Sequence, residues 1–416
     1  MQGAKSINNR LRLVGATAAA LVAVTGSAVA GGFDIHEQST VFLGSAMAGA
    51  AAGGSLGSMY WNSAAAGQFS GLNTESSYIL VLPNGDVHVS SFGGVPISSN
   101  SGDIGIDAFT SSTYGSYRLS KDFWVGIAIN APFGLATKPE NTNYAGSILG
   151  LTTKLLTVNA NPMISYRVAP GITIGAGVQM EWARGKLQFR TSPSDIAQFK
   201  GDDWAFGATA GITIEPAAGT SIGLGYRSQL THDLDGHFKT DLAGIGDVDA
   251  VGTVNLPDIV TLSLRQEMTP NTRLLGTVQW ENWSRFKQLT VTGDFSPIGN
   301  SITTPANWND SWYFSVGGEY DYTPALTLRT GVGYEISPVD DPSKRFTAIP
   351  DNDKVYLSIG ASYKYSEWTT FDVGYSHIFV QDGDFTRTPP GVPAPELSGT
   401  VEASVDMIAV GMRTRW

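Results

Sequence analysis

The chain contains no cysteine. That excludes disulfide staples, thiolate nucleophiles and cysteine-ligated zinc. Charge is also scarce, at 15% of residues, where a soluble domain carries about a quarter. Positive charge is the rarer sign, 26 residues against 37 acidic ones, for a net −11. Nucleic acid, which is held through basic patches, is therefore not an expected partner. After residue 30 no run of 18 apolar residues occurs, so no membrane-spanning helix is expected. A chain that crosses a membrane without such helices must do so as a closed barrel, where every backbone group finds a partner. Glycine, in contrast, is abundant, at 49 of 416 residues.

Lys5, Arg10 and Arg12 precede an apolar run from Leu13 to Val24, and Ala28-Val29-Ala30 follows. A basic start, a short oily stretch and an A-x-A site read as a secretory signal peptide over residues 1–30. The oily run is too short to span a hydrocarbon core of about 30 Å.

Beyond it the sequence is written with period two. Ile172, Ile174, Ala176, Val178, Met180 and Trp182 share one face, and Thr173, Gly175, Gly177, Gln179 and Glu181 the other. The same alternation recurs from Trp204 to Ile214, from Val355 to Tyr365, and from Met407 to the final Trp416. Successive strand side chains point to opposite sides of a sheet, so these strands are oily outside and small or polar inside. Tight turns at Ser120-Lys121-Asp122, Val168-Ala169-Pro170, Pro216-Ala217-Ala218, Thr269-Pro270-Asn271, Tyr322-Thr323-Pro324 and Tyr365-Ser366-Glu367 recur about every 43–54 residues. Each interval holds one hairpin and one long loop. With a first strand near Asn73–Leu82 and a last one over Val401–Trp416, the count is fourteen, an even number as bacterial barrels have. Long loops are expected at roughly 83–109, 131–153, 190–202, 232–252, 291–308, 338–353 and 381–400. The fold class is thus all-β, a 14-stranded antiparallel transmembrane barrel over residues 73–416.

Residues 31–72 lack alternation. They are small and apolar, yet without the charge and proline of a disordered linker. Such a segment attached to a barrel is expected to bury itself in the lumen as a hatch.

Here the residues resemble a known family. Gly32-Phe33-Asp34-Ile35-His36-Glu37-Gln38-Ser39, then Leu43-Gly44, Ala48-Gly49 and Asn62-Ser63-Ala64, look like the hatch of the FadL/toluene-transporter family of outer membranes. Asn130 to Thr137, Asn161-Pro162, Trp204 to Gly207, Tyr226-Arg227-Ser228, Leu256-Pro257, Trp283-Ser284 and Ser337-Pro338-Val339 follow in the family's order. The resemblance implies a plugged barrel in the outer membrane of a Gram-negative bacterium. It would import long-chain fatty acids or similar hydrophobic compounds and release them sideways through the wall beside a kinked third strand. The alternative function is a general diffusion porin for polar solutes.

The expected wall opening is Asn130-Ala131-Pro132-Phe133-Gly134, because Pro132 cannot donate to a ladder and Gly134 follows closely. Phe33, Ile35, Phe42 and Leu43 are the expected apolar pocket. By the family pattern a carboxylate head group would meet basic residues at the outer end of strand five, where Arg184, Lys186 and Arg190 stand. The pattern's own position falls on Phe189, and a one-residue slip points the opposite way. Gly219-Thr220-Ser221-Ile222-Gly223 matches a nucleophile motif, but it enters a strand instead of a strand-to-helix elbow, so no enzyme is expected. The five histidines show no i, i+4 pairing, and neither metal nor cofactor is expected. The expected partners are the hydrophobic cargo, outer-membrane lipid and lipopolysaccharide, with the chain a monomer.

Overall fold

A computed structural model describes residues 32–390 and 394–416, the side chain of residue 243 apart. The expected signal peptide, residues 1–30, lies outside the described residues.

Fourteen antiparallel strands form the barrel. β1 is Leu72–Phe92, β2 Ala108–Arg118, β3 Phe123–Asn130, β4 Thr152–Ala169 and β5 Ile172–Ser192. β6 is Asp195–Ala217, β7 Thr220–Arg227, β8 Ile259–Thr269, β9 Thr272–Glu281 and β10 Ser311–Asp321. β11 is Leu326–Ile336, β12 Lys354–Lys364, β13 Thr369–Val380 and β14 Leu397–Arg415. Each pairs with its neighbours in sequence, and β14 closes on β1 from Asn73↔Arg415 to Phe92↔Leu397. Short turns join the strands at one rim, where the sequence places them.

The opposite rim differs from expectation. β1 runs to Phe92 instead of ending near Leu82, and β5 and β6 continue to a tight turn at 193–194 through the loop expected at 190–202. The loop expected at 232–252 is largely two strands, Leu230–Thr240 and Gly246–Leu256. Further short strands, Val95–Asn100, Gly134–Thr137, Gln288–Gly293, Ser301–Pro305 and Gly383–Arg387, also extend the wall outward. These stretches hold Asn, Asp, Ser and Gly, which favour turns locally. Cross-strand pairing overrides that preference, because strand propensity depends on context.

The alternation sorts the side chains. Trp204 and Phe206 are 60% and 69% exposed on the outside, while Glu181, three residues from the outward Val178 of the adjoining strand and so of opposite parity, is fully enclosed. From Gly32 to Gly67 every residue except Gly54 is buried. This segment coils through a helical turn at Thr40–Leu43 and 3-10 turns at Ala50–Ala52, Leu56–Met59 and Ser63–Gln68. It packs against the inward faces of the strands. Ala51 N donates to Ser263 Oγ at 3.0 Å, Gly49 N to Thr277 Oγ1 at 2.9 Å, and Thr40 N to Ser77 Oγ at 2.9 Å. Glu75 of β1 accepts from Ser39 Oγ at 2.9 Å, from Gly57 N at 3.2 Å and from Ser55 Oγ. Glycine makes the contact possible: a Cβ on Gly331 would lie 2.0 Å from Ser45 O, and one on Gly175 2.3 Å from the Ser63 carbonyl carbon.

Candidate functional site

The third strand is interrupted. The β3–β4 ladder stops at Asn130↔Asn159 and resumes on the strand Gly134–Thr137 at Gly134↔Leu156. Ala131, Pro132 and Phe133 therefore stand opposite two residues of β4, and the ladder cannot continue through the proline. On the other side, β2 pairs with β3 only from Thr113↔Ile129 inward. Above that level β2 has no partner in β3, and the wall is broken.

The N-terminal segment fills the break from inside. Asp34 bridges Phe133 in antiparallel fashion, Ile35 N donates to Pro132 O at 2.7 Å, and Gly134 N donates to Phe33 O at 3.0 Å. Gln38 spans the gap. Its Nε2 donates to Ala131 O at 2.9 Å and Ile35 O at 2.7 Å, and its own carbonyl accepts from Ser112 Oγ at 2.5 Å and Tyr114 OH at 2.7 Å. Asn130 Nδ2 completes the set by donating to Tyr114 OH at 2.7 Å.

Beside the break is an apolar nest. Phe33 meets Trp283 edge-on at 4.7 Å, Phe286 at 5.6 Å and Phe133 at 6.4 Å, and Trp308 at a tilt at 6.0 Å. Two small cavities adjoin it. One of about 60 Å³ is lined by Phe33, Leu135, Leu155, Phe199, Val254 and Phe286 among others. The other, about 90 Å³, is lined by Leu187, Phe189, Leu289, Ile302, Phe346 and Arg387 among others. Arg387 is buried on the strand Gly383–Arg387 with its guanidinium 4.5 Å over the Phe346 ring. It donates to Pro305 O at 2.8 Å and to Ser343 O. Among the described residues it has no carboxylate partner. Burial pushes it down to about 10.

A charged cluster adjoins the nest through Trp283, whose Nε1 donates to Glu281 Oε2 at 2.7 Å. His36 Nδ1 is 3.4 Å from Asp34 Oδ2, and its Nε2 is 3.4 Å from Glu281 Oε1 and 3.5 Å from Glu335 Oε2. Lys354 pairs with Glu335 at 3.0 Å and with Asp351. Neither carboxylate oxygen of Asp34 or Glu37 has a hydrogen-bond partner. Burial pushes both carboxyls up, Glu37 to about 6. Burial alone would lower His36, but Glu281, Asp34 and Glu335 outweigh it and hold the imidazole well above its usual value. Asp34, His36 and Glu281 bring ligand atoms within 4.8 Å of one another, a donor set able to hold a divalent cation. Spacing along the sequence expected no such set, because Glu281 is more than 240 residues away from Asp34 and His36.

The remaining expected residues fall as follows. Ile35 packs on Gly134, 2.9 Å from where a Cβ there would be. Phe42 and Leu43 lie in a separate apolar cluster with Met47, Met59 and Trp61, away from the two cavities. Asn62 ties the segment to β6 through Thr213 Oγ1 at 3.0 Å, Ser63 Oγ meets Thr209 Oγ1 at 2.7 Å, and Ala64 N caps on Asn62 Oδ1 at 2.9 Å. Arg184 and Lys186 share the outward parity of Trp182. Arg184 lies 4.9 Å over that ring and 3.6 Å from Asp202. Arg190 reaches Pro193 O at 3.0 Å and Thr142 O at 3.1 Å. The structure thus brings neither Arg184 nor Arg190 to the cavities, and Phe189 lines one instead. Ser221 stands in β7 with its hydroxyl on Ala52 O at 2.6 Å. Gln38 and Arg387 escaped sequence reasoning. The one signal for Arg387 was a lone cation among the prolines of 388–395.

A closed fourteen-stranded barrel, oily outside and filled by its own N-terminal segment, defines a transport protein of the bacterial outer membrane. The chain belongs to the outer membrane protein transport protein family (OMPP1/FadL/TodX), whose model matches residues 21–416. It is 28% identical to a long-chain fatty acid transport protein of Escherichia coli O6:H1, over 89% of this chain and 92% of that one. It is 29% identical to a 47 kDa outer membrane protein of Pasteurella multocida, over 96% and 97% of the two chains. In fold it is similar to a Pseudomonas aeruginosa FadL homologue, with a TM-score of 0.84 at 19% identity, covering 92% of this chain and 99% of that one. The Ralstonia pickettii toluene transporter TbuX is also similar, with a TM-score of 0.66 at 20% identity over 91% and 98%. The chain resides in the outer membrane of a Gram-negative bacterium.

Proposed function

We propose that the chain is a monomeric carrier that takes up long-chain fatty acids or similar hydrophobic compounds, with residues 31–72 as its hatch. The observation that carries this reading is a buried guanidinium, that of Arg387, which has no carboxylate partner among the described residues and stands at the edge of an apolar cavity. Two carbonyls and the Phe346 ring solvate this cation but do not neutralise it; an incoming carboxylate would do so while the acyl chain gains about 0.8 kcal/mol per buried CH₂. Arg387 would hold the head group, and Phe33 with its aromatic neighbours would hold the tail. Lys186, which also borders the smaller cavity, Arg184 and Arg190 would meet head groups on the outer surface, and Phe42 and Leu43 would keep the hatch packed.

The cavities, about 60 and 90 Å³, are small. A dry cavity of about 150 Å³ admits a benzene ring, so a long acyl chain requires the N-terminal segment to shift. Movement of Phe33 and Gln38 would both enlarge the pocket and uncover the break at Asn130–Gly134. Cargo would then leave sideways into the membrane without meeting water. The relatives' names support the cargo class.

Uptake by a strain deleted for this gene tests the reading. The wild-type gene should restore growth on oleate, and Arg387→Met should impair oleate uptake while sparing an aromatic hydrocarbon. Restored passage of small polar solutes with no effect on either hydrophobic substrate would favour the porin and overturn the proposal.

A further inference from the structure

Three lysines form a row on the outside of the wall. Lys154 of β4 stands directly opposite Lys186 of β5, which stands directly opposite Lys200 of β6. They share the outward parity of Val178, Trp182 and Trp204. Neighbouring strands are about 4.8 Å apart, and like charges placed directly opposite destabilise a sheet. In the next row inward, Arg184 is matched by Asp202 at 3.6 Å. Among the described residues none of the three lysines is in an ion pair. Asp235 stands opposite Asp202 and His237 opposite Lys200, so the groove also holds two carboxylates, yet the lysine row itself keeps an excess of positive charge that an external anion would neutralise.

Depth and surroundings identify that anion. Trp182 and Trp204 are cross-strand partners, and both are on the outer surface. Aromatic residues of this kind form the girdle at the membrane interface. Lys186 and Lys200 lie four residues further toward the loop rim. At about 3.3 Å per residue and a tilt near 40° that is on the order of 10 Å higher, above the hydrocarbon and among the head groups. The lysines border a groove of about 680 Å³ whose lining includes Ile106, Leu135, Leu155 and Leu156. A ligand with several phosphates spaced along a surface and acyl chains beneath them fits both parts. A single carboxylate would engage only one lysine.

We propose that Lys154, Lys186 and Lys200 bind the phosphate groups of lipopolysaccharide on the outer wall, beside the interrupted third strand. The lipid's phosphates neutralise the row, and an acyl chain covers the apolar residues of the groove. The lipid thereby fixes the height of the barrel in the leaflet and screens the outer side of the break.

The test uses the purified full-length chain and the triple variant Lys154→Gln, Lys186→Gln, Lys200→Gln. Binding is measured to vesicles containing phosphorylated lipid A, to vesicles containing its dephosphorylated form, and to inorganic phosphate alone. Each lysine near an anionic surface supplies roughly a fivefold factor, so the three together should give on the order of a hundredfold preference for phosphorylated lipid A. The variant should lose that preference, and the triple Lys→Arg variant should keep it, which separates charge from misfolding. Equal binding of both lipid A forms by the wild type would overturn the proposal. So would unchanged binding by a folded Gln variant. Inorganic phosphate competing at equal affinity would make the row a generic anion site, and loss of oleate binding alone would make it a cargo site; either outcome overturns the assignment to lipopolysaccharide. Because lipid binding is read without transport, failure here leaves the proposed uptake untouched.

Discussion

Replacing Gln38 by alanine removes the side chain that spans the broken wall. Two donor contacts disappear, to Ala131 O and Ile35 O at 2.9 and 2.7 Å. Both carbonyls are buried. A buried polar group left without its partner costs about 1–3 kcal/mol, and water entering the vacated space offsets part of the second loss. The backbone carbonyl of residue 38 still accepts from Ser112 and Tyr114, so the segment keeps its register. The expected net loosening is therefore about 1–3 kcal/mol, which raises the open population by about 5- to 150-fold. Hydrogen exchange reads this locally. The amides of Ile35 and Gly134, which bond across the break to Pro132 O and Phe33 O, should exchange faster by that factor. Amides in the β1–β14 ladder should not change. Unchanged exchange at Ile35 and Gly134 would refute the view that Gln38 holds the gap shut.

Other substitutions probe neighbouring parts of the account. Phe33→Ala should cost about 3–5 kcal/mol of packing in the aromatic nest, and calorimetric binding of oleate should weaken while the barrel still shows its heat-modifiable gel shift. Ala131→Trp should slow uptake of labelled fatty acid without lowering the amount of folded protein in the membrane, since it fills the break. Gly331→Val places a side chain where Ser45 O now lies, 2.0 Å from the new Cβ; limited proteolysis should then cleave the N-terminal segment while the barrel survives. Cysteines at Gln38 and Ser112, in a chain that otherwise has none, should block uptake when cross-linked and release it on reduction.

Much of the barrel was legible because its rules are local. Period two says which side chains meet lipid, and tight turns punctuate the chain at regular intervals. Even the outward aim of Arg184 and Lys186 was implicit, since both share the parity of Trp182. The height of the wall was not legible. Residues 83–92 and 232–252 carry polar and small residues that read as loop, and only their partners across the hairpin make them strand. The site was legible in part. Proline and glycine marked the interruption at 131–134, but the residue that fills it, Gln38, is set by contacts to β2 and β3 that no spacing predicts. The His36 cluster and Arg387 likewise depend on partners far away in sequence.

The central claim is that the lumen is closed to ions by residues 31–72 while hydrophobic cargo passes. The most direct measurement is the conductance of the purified intact protein in a planar bilayer. The account predicts no stable ohmic steps from the intact chain, and large steady steps once residues 40–68 are deleted. A steady, voltage-independent conductance from the intact chain, equal to that of the deletion variant, would contradict it.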